Sequence, residues 1–169
     1  MKADSKPYIM LAGEVHNSSS SSLEFMEEIW QKAVRLNMNT LLLPITWELL
    51  EPEEGKFDFT LTDGLIAQAR RYHMHIVFLW FGAWKNAQCY YAPEWVKCNP
   101  ERFWRAEVQK GKRKVNLEQF YGMPYTTLSA YCEETVKADS RAFAMLMRHL
   151  REMDEKEQTV AAVQVENEP

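Results

Sequence analysis

Thr40-Leu41-Leu42-Leu43-Pro44-Ile45, running straight into Thr46-Trp47-Glu48, is a short, almost continuous apolar stretch that ends on an indole and a carboxylate. A strand with one face in water alternates apolar and polar residues. A stretch that is apolar throughout has both faces covered, as in a parallel sheet packed between helices. Ile76–Phe81 repeats the pattern around Val77-Phe78-Leu79, and two weaker runs, Tyr8–Ala12 and Val160–Val165, complete a set of strand candidates.

Helical patterns lie between these runs. Ser21 and Glu24 are spaced as a capping box, and behind them Met26, Ile29, Trp30, Ala33 and Val34 recur at helical spacing up to Leu36. Leu61, Leu65, Ile66, Ala69 and Tyr72 mark a second helix. Phe143, Leu146, Met147, Leu150 and Met153 mark one face of a third, extending from roughly Leu128 to Met153. The serines Ser18–Ser22 read as a polar loop that enters and caps the first helix.

The order is therefore β-α-β-α-β-loop-α-β, with the early strands about 30 residues apart, the size of a βα unit. Alternation of this kind means an α/β fold, either an open doubly wound sheet or a closed barrel. Gly13-Glu14-Val15-His16-Asn17-Ser18 follows the first strand and is no Gly-rich phosphate loop, which counts against a nucleotide-binding open sheet. The stretch from Gly82 to Thr127 reads as irregular. Barrels place such long loops over the active site.

Composition narrows the partners. With 46% hydrophobic and 26% charged residues, 169 residues suffice for one globular domain with a sizeable core. The net charge of −4 leads us to expect neither nucleic acid nor a membrane surface as a partner. Lys110-Gly111-Lys112-Arg113-Lys114 is a local exception and reads as a short solvated turn. Cys89, Cys98 and Cys132 are odd in number and lack metal-ligand spacing, so free thiols are expected, with no metal and no cofactor. Tyr8–Ala12 is too short for a signal peptide, and no stretch approaches the ~18 apolar residues of a membrane helix. A cytoplasmic location is expected, or a secreted or periplasmic one if an N-terminal leader has been lost. Of the six Trp, seven Tyr and eight Phe, about half suit the core. Trp84, Tyr90, Tyr91 and Trp95 fall in predicted loops, where aromatic faces can pack against the C–H faces of pyranose rings.

In a (β/α)₈ barrel the reacting groups gather where strands end and βα loops begin. The first strand delivers Glu14, His16 and Asn17 there; the second, Trp47 and Glu48; the third, Trp80, Trp84, Lys85 and Asn86; the fourth, Gln164, Glu166, Asn167 and Glu168. Each also has a plainer reading. Glu14, His16 and Asn17 could serve loop hydrogen bonds, Glu48 a rim salt bridge, Trp84 the loop core, and Lys85 solvent.

Val165-Glu166-Asn167-Glu168-Pro169 resembles the fourth-strand motif of the retaining glycosidases built on this barrel. Leu11-Ala12-Gly13-Glu14-Val15-His16-Asn17-Ser18 resembles the first-strand block of β-galactosidases, and Asn39-Thr40, Trp47 and Glu51-Pro52-x-x-Gly55-x-Phe57-Asp58-Phe59 resemble the second. Together these blocks point to glycoside hydrolase families 35 and 42. Two positions depart from family 35: Pro44 replaces an aromatic residue, and Phe81-Gly82-Ala83-Trp84-Lys85 lacks the third-strand carboxylate.

The resemblance implies a (β/α)₈ barrel, with residues 1–169 as its N-terminal half and the C-terminal half missing. It implies hydrolysis of O-glycosidic bonds by double displacement on an oligo- or polysaccharide or a β-galactoside. Retaining enzymes hold two carboxyls roughly 5–5.5 Å apart, one an acid/base and one a nucleophile. By resemblance Glu168 is the acid/base, Asn167 binds the sugar 2-OH, and Glu166 contacts other hydroxyls or orients its neighbours. His16, Asn17, Glu14, Trp47, Glu48 and Trp84 are substrate-binding candidates. The nucleophile would stand on a seventh strand, so these residues alone are expected to form a half-barrel without activity. A β-glucosidase or endoglucanase, or a carbohydrate-binding pseudo-enzyme, are the alternatives.

Overall fold

A computed structural model describes residues 2–3, 6–86, 88–116 and 127–167. The chain divides into two compact units. One contains the chain up to Ile45 with Asp58–Trp80 and Leu146–Val165; the other contains Thr46–Phe57, Phe81–Met145 and the segment from Glu166.

The first unit is built on a sheet of four strands, β1 (Ala12–Glu14), β2 (Thr40–Thr46), β3 (His75–Phe81) and β4 (Val160–Gln164), in the order β1-β2-β3-β4. β1 and β2 pair parallel, Ala12 against Thr40 and Glu14 against Leu42. β3 and β4 also pair parallel, with a register shift between Ile76 and Val77. The apolar runs in β2 and β3 are buried along nearly their whole length, whereas β1 and β4 are partly exposed.

Helix α1 (Leu23–Arg35) follows β1, α2 (Thr60–Arg71) follows β2, and α3 (Glu133–Asp154) precedes β4. Met26, Trp30 and Ala33 of α1 and Leu65, Ile66 and Ala69 of α2 are buried, as their spacing predicts. The Trp30 indole donates to Gln68 Oε1 at 2.9 Å, and Gln68 Nε2 donates to the Leu23 carbonyl at 2.8 Å. Gly64 lets the two helices approach this closely: a Cβ there would lie 2.3 Å from a Leu23 methyl. Each helix returns to the sheet through one non-glycine residue in the left-handed region, Asn37 (φ 56°), His73 (φ 55°) and Gln158 (φ 49°). Such a residue reverses the chain at a helix C-terminus within a few positions. The βα units therefore share one kind of return.

Several local expectations shift. A short antiparallel pair, Lys2–Ala3 with Lys6–Pro7, comes first, and the first strand of the parallel sheet begins at Ala12, where the expected run ends. Ahead of it the Asn39 side chain takes the place of a sheet partner, donating to the Ile9 carbonyl at 2.8 Å and accepting from Leu11 N–H at 2.9 Å. The N-cap of α1 is Ser22, whose Oγ accepts from Phe25 N–H at 3.2 Å, while Ser21 Oγ turns back to the Ser18 carbonyl. α3 starts at Glu133 instead of Leu128. The stretch expected to be irregular holds a helical turn, Glu94–Lys97, and a hairpin of Glu107–Lys110 against Arg113–Asn116. Lys110–Lys114 includes the turn of that hairpin, with Gly111 at φ 62° and residues 111–114 exposed. Cys89 and Cys132 are buried, Cys98 is exposed, and all three are free thiols. No helix among the described residues is long and apolar enough to cross a membrane.

Candidate active site

The second unit is organised first around Glu51, which is fully buried. Its carboxylate accepts from Trp47 Nε1 at 2.8 Å, Gly55 N–H at 2.7 Å and the Arg141 guanidinium at 2.5 Å. Its backbone carbonyl accepts from Trp95 Nε1 at 3.1 Å. Gly55 sits at φ 78°, where a side chain would be strained, so Glu51 and Gly55 are both required by one tight turn. Trp47 is buried edge-on to Trp95, ring centres 5.6 Å apart, with its N–H already committed. Glu48 is half-buried and salt-bridged to Lys97 Nζ at 3.1 Å, the rim ion pair of its plainer reading. Lys97 also donates to the Tyr90 carbonyl, and Tyr91 packs 5.4 Å from Phe81.

The same unit holds Glu166 and Asn167, which follow β4. Glu166 lies in the left-handed region (φ 61°), a conformation that costs a non-glycine residue about 1–2 kcal/mol. The segment after β3 offsets this cost. Gly82 N–H donates to Glu166 Oε1 at 3.1 Å, and Trp84 N–H also donates to the Glu166 carboxyl. Ala83 N–H, between them, points instead to Asp139 Oδ2 at 3.3 Å. Three successive amides thus face two carboxyls, a nest of the kind that binds anionic oxygen. The Glu166 and Asp139 carboxyls are themselves hydrogen-bonded. Burial first, then the hydrogen bond and the charge of Asp139, push the Glu166 carboxyl up to about 9. Next in sequence, Asn167 Oδ1 accepts from Lys85 Nζ at 2.7 Å, and the same ammonium lies 4.9 Å over the Phe81 ring. Trp84 is half-buried and its indole donates to the Leu128 carbonyl at 3.0 Å.

Glu166, Asn167, Trp84 and Lys85 are therefore brought together at consecutive strand ends. Glu168 lies outside the described residues. Glu14, His16 and Asn17 belong to the first unit, where Glu14 closes β1, Glu14 and His16 are exposed, and Asn17 is half-buried. Among the described residues no group of three or more His, Cys, Asp or Glu side chains could hold a metal.

Asp139 is the member of this cluster that sequence reasoning missed. It sits on the buried stripe of α3 with Thr135, Ala138, Ala142, Leu146 and Leu150. A carboxylate in register with that apolar stripe was the available signal, because an unpartnered charge is not left there.

Comparison with known proteins gives a family and a fold. The glycoside hydrolase family 42 model, described as β-galactosidase, matches residues 16–169. A β-galactosidase of Xanthomonas manihotis is 37% identical over 57 residues, 34% of this chain and 9% of that protein. Two solved structures share the fold: a family 39 glycoside hydrolase from Bacteroides cellulosilyticus WH2 (TM-score 0.51, 14% identity, 94% of this chain, 24% of that one) and the exo-β-1,4-mannosidase Op5Man5 from Opitutaceae bacterium strain TAV5 (TM-score 0.56, 13% identity, 93% and 24%). This chain therefore spans about a tenth of the curated relative and a quarter of each structure. Its motifs resemble families 35 and 42, and the family match runs through the strand ends described above: the chain belongs to glycoside hydrolase family 42, the β-galactosidase family.

Proposed function

We propose that the protein hydrolyses O-glycosidic bonds, with a β-galactoside as substrate, by a retaining double displacement. Glu168 serves as general acid and then general base, Asn167 binds the sugar 2-OH, and Glu166 orients both. The observation that carries this reading is the clamping of Glu166-Asn167 by Gly82, Trp84 and Lys85, within a family match that continues through Glu168. A glycosidic bond breaks when its leaving oxygen is protonated while a carboxylate faces the anomeric carbon. That requires the acid to be held at a defined height above the sugar, which a strand-end turn locked to its neighbour supplies.

The four strands in sequential order also support a (β/α)₈ barrel, of which β1–β4 form one half. β1 and β4, the two outer strands, are the more exposed ones, as expected if further strands cover them. The nucleophile would come from one of those strands. The test is turnover by the full-length protein of 4-nitrophenyl β-galactoside against the β-glucoside and β-mannoside, with the configuration of the first-formed sugar read by NMR. Retention on the β-galactoside is expected. Sugar binding without turnover would instead make the site that of a binding protein.

A further inference from the structure

Asp139 has no place in the mechanism above, yet it is 7% exposed and lies on α3 among the buried Thr135, Ala138 and Ala142. Taking a carboxylate into such a site costs several kcal/mol unless its oxygens are satisfied. Here one oxygen takes the Ala83 amide and the Glu166 carboxyl bonds the same group.

We propose that Asp139 is a positioning residue of the glycosidase site: with the Gly82, Ala83 and Trp84 amides it locks Glu166 in its left-handed turn, and so sets where Asn167 and Glu168 are presented. This rests on the roles assigned above to those two residues. Two carboxyls can hydrogen-bond only with a proton between them, since an ionised carboxylate is an acceptor alone. That proton is held on Glu166, whose carboxyl is pushed up by burial and by the neighbouring Asp139. The other buried carboxylate of α3, Asp154, lies at the far end of the helix and pairs with Arg70, and the segment after β3 adds Lys85, which is committed to Asn167. Loss of the Glu166 proton leaves two like charges in contact at the point where the chain must turn. Asparagine at position 139 would keep both contacts without that proton. Its carbonyl can accept from Ala83 and its NH₂ can donate to an ionised Glu166. Alanine can do neither.

The test compares wild type, Asp139→Ala and Asp139→Asn in the full-length protein, measuring kcat and KM on an aryl β-galactoside and urea unfolding across pH. Asp139→Ala is expected to lose roughly 100-fold in kcat/KM, the cost of misplacing a reacting group by about 1 Å, with kcat falling more than KM rises. Asp139→Asn should retain most of the wild-type kcat/KM. A folded Asp139→Ala with wild-type kcat/KM, or an Asp139→Asn no better than Asp139→Ala, would overturn the proposal. If even wild type turns over no glycoside, the glycosidase reading fails and the unfolding arm still judges the pair. Asp139→Asn should then flatten the decline of stability with rising pH, and an unchanged decline would contradict the effect of Asp139 on the Glu166 carboxyl. The same measurement decides the matter if Asp139→Ala does not fold.

Discussion

Glu166 and Asp139, one just past the end of β4 and the other midway along α3, are joined carboxyl to carboxyl. Backbone amides of the segment after β3 bind both groups. Three elements far apart in sequence thus meet around these two carboxyls, immediately before Asn167. A turn built this way has a pH dependence and a set of dependents, and both can be measured.

Stability should fall as pH rises. Glu166 ordinarily titrates near 4.5 and is pushed up to about 9 in the fold. Between those values the folded protein keeps a proton that the unfolded chain has released, and the slope of stability with pH is negative. Urea unfolding from pH 5 to 9 should show this decline, and Glu166→Gln, which carries no such proton, should show less of it. Parallel slopes for the two proteins would exclude the raised carboxyl.

Glu51 should prove structural. Replacing it with Ala strands the Trp47 and Gly55 N–H groups and the Arg141 guanidinium around a buried hole. Removing one partner of a buried pair costs about 3 kcal/mol or more. Arg141→Ala should cost less, because that side chain is 43% exposed. Denaturant midpoints give the order, and equal costs would mean that Glu51 acts only through Arg141.

Gly64→Ala tests the α1–α2 contact. Alanine in a helix interior normally gains up to about 1 kcal/mol over glycine. Here the new Cβ would meet Leu23, so overpacking of about 1–3 kcal/mol should outweigh the gain. Leu23→Ala in the same protein should remove that penalty, giving a non-additive pair in a double-mutant cycle. Additivity would mean that Leu23 simply moves aside.

Asn167→Ala should lower kcat more than it raises KM, since a 2-OH contact that tightens in the transition state is lost there. On this variant a 2-deoxy substrate should show little further loss. Fully additive losses would argue against a direct contact.

What was legible in the sequence was whatever burial makes periodic. Leu41–Leu43 and Val77–Leu79 announced the inner strands, and the buried face of α2 and most of that of α1 followed from their spacing, although Val34 and Leu36 at the end of α1 are exposed. The Glu107–Asn116 hairpin was not legible. Its strands are largely polar and share one apolar cross-strand pair, Val108 with Val115, so the lysine-rich turn dominated the reading. The start of β1 was hidden for another reason: Asn39, some thirty positions away, binds Ile9 and Leu11 through its side chain as well as its backbone. At the site, Glu166 and Asn167 were visible as a motif. Asp139 showed only as a carboxylate on an apolar helix stripe, because its partners come from the ends of β3 and β4 and leave no local pattern.

The most direct test of the account is the leaving-group dependence of Glu168→Gln in the full-length protein. Removing a general acid costs roughly 10²–10⁴-fold where the leaving oxygen needs a proton. Turnover of alkyl β-galactosides and disaccharides should therefore collapse. Formation of the covalent intermediate from a 2,4-dinitrophenyl β-galactoside, whose leaving group needs little protonation, should persist as a burst in pre-steady-state kinetics. Equal losses on both classes of substrate, with no burst, would contradict Glu168 as the acid/base.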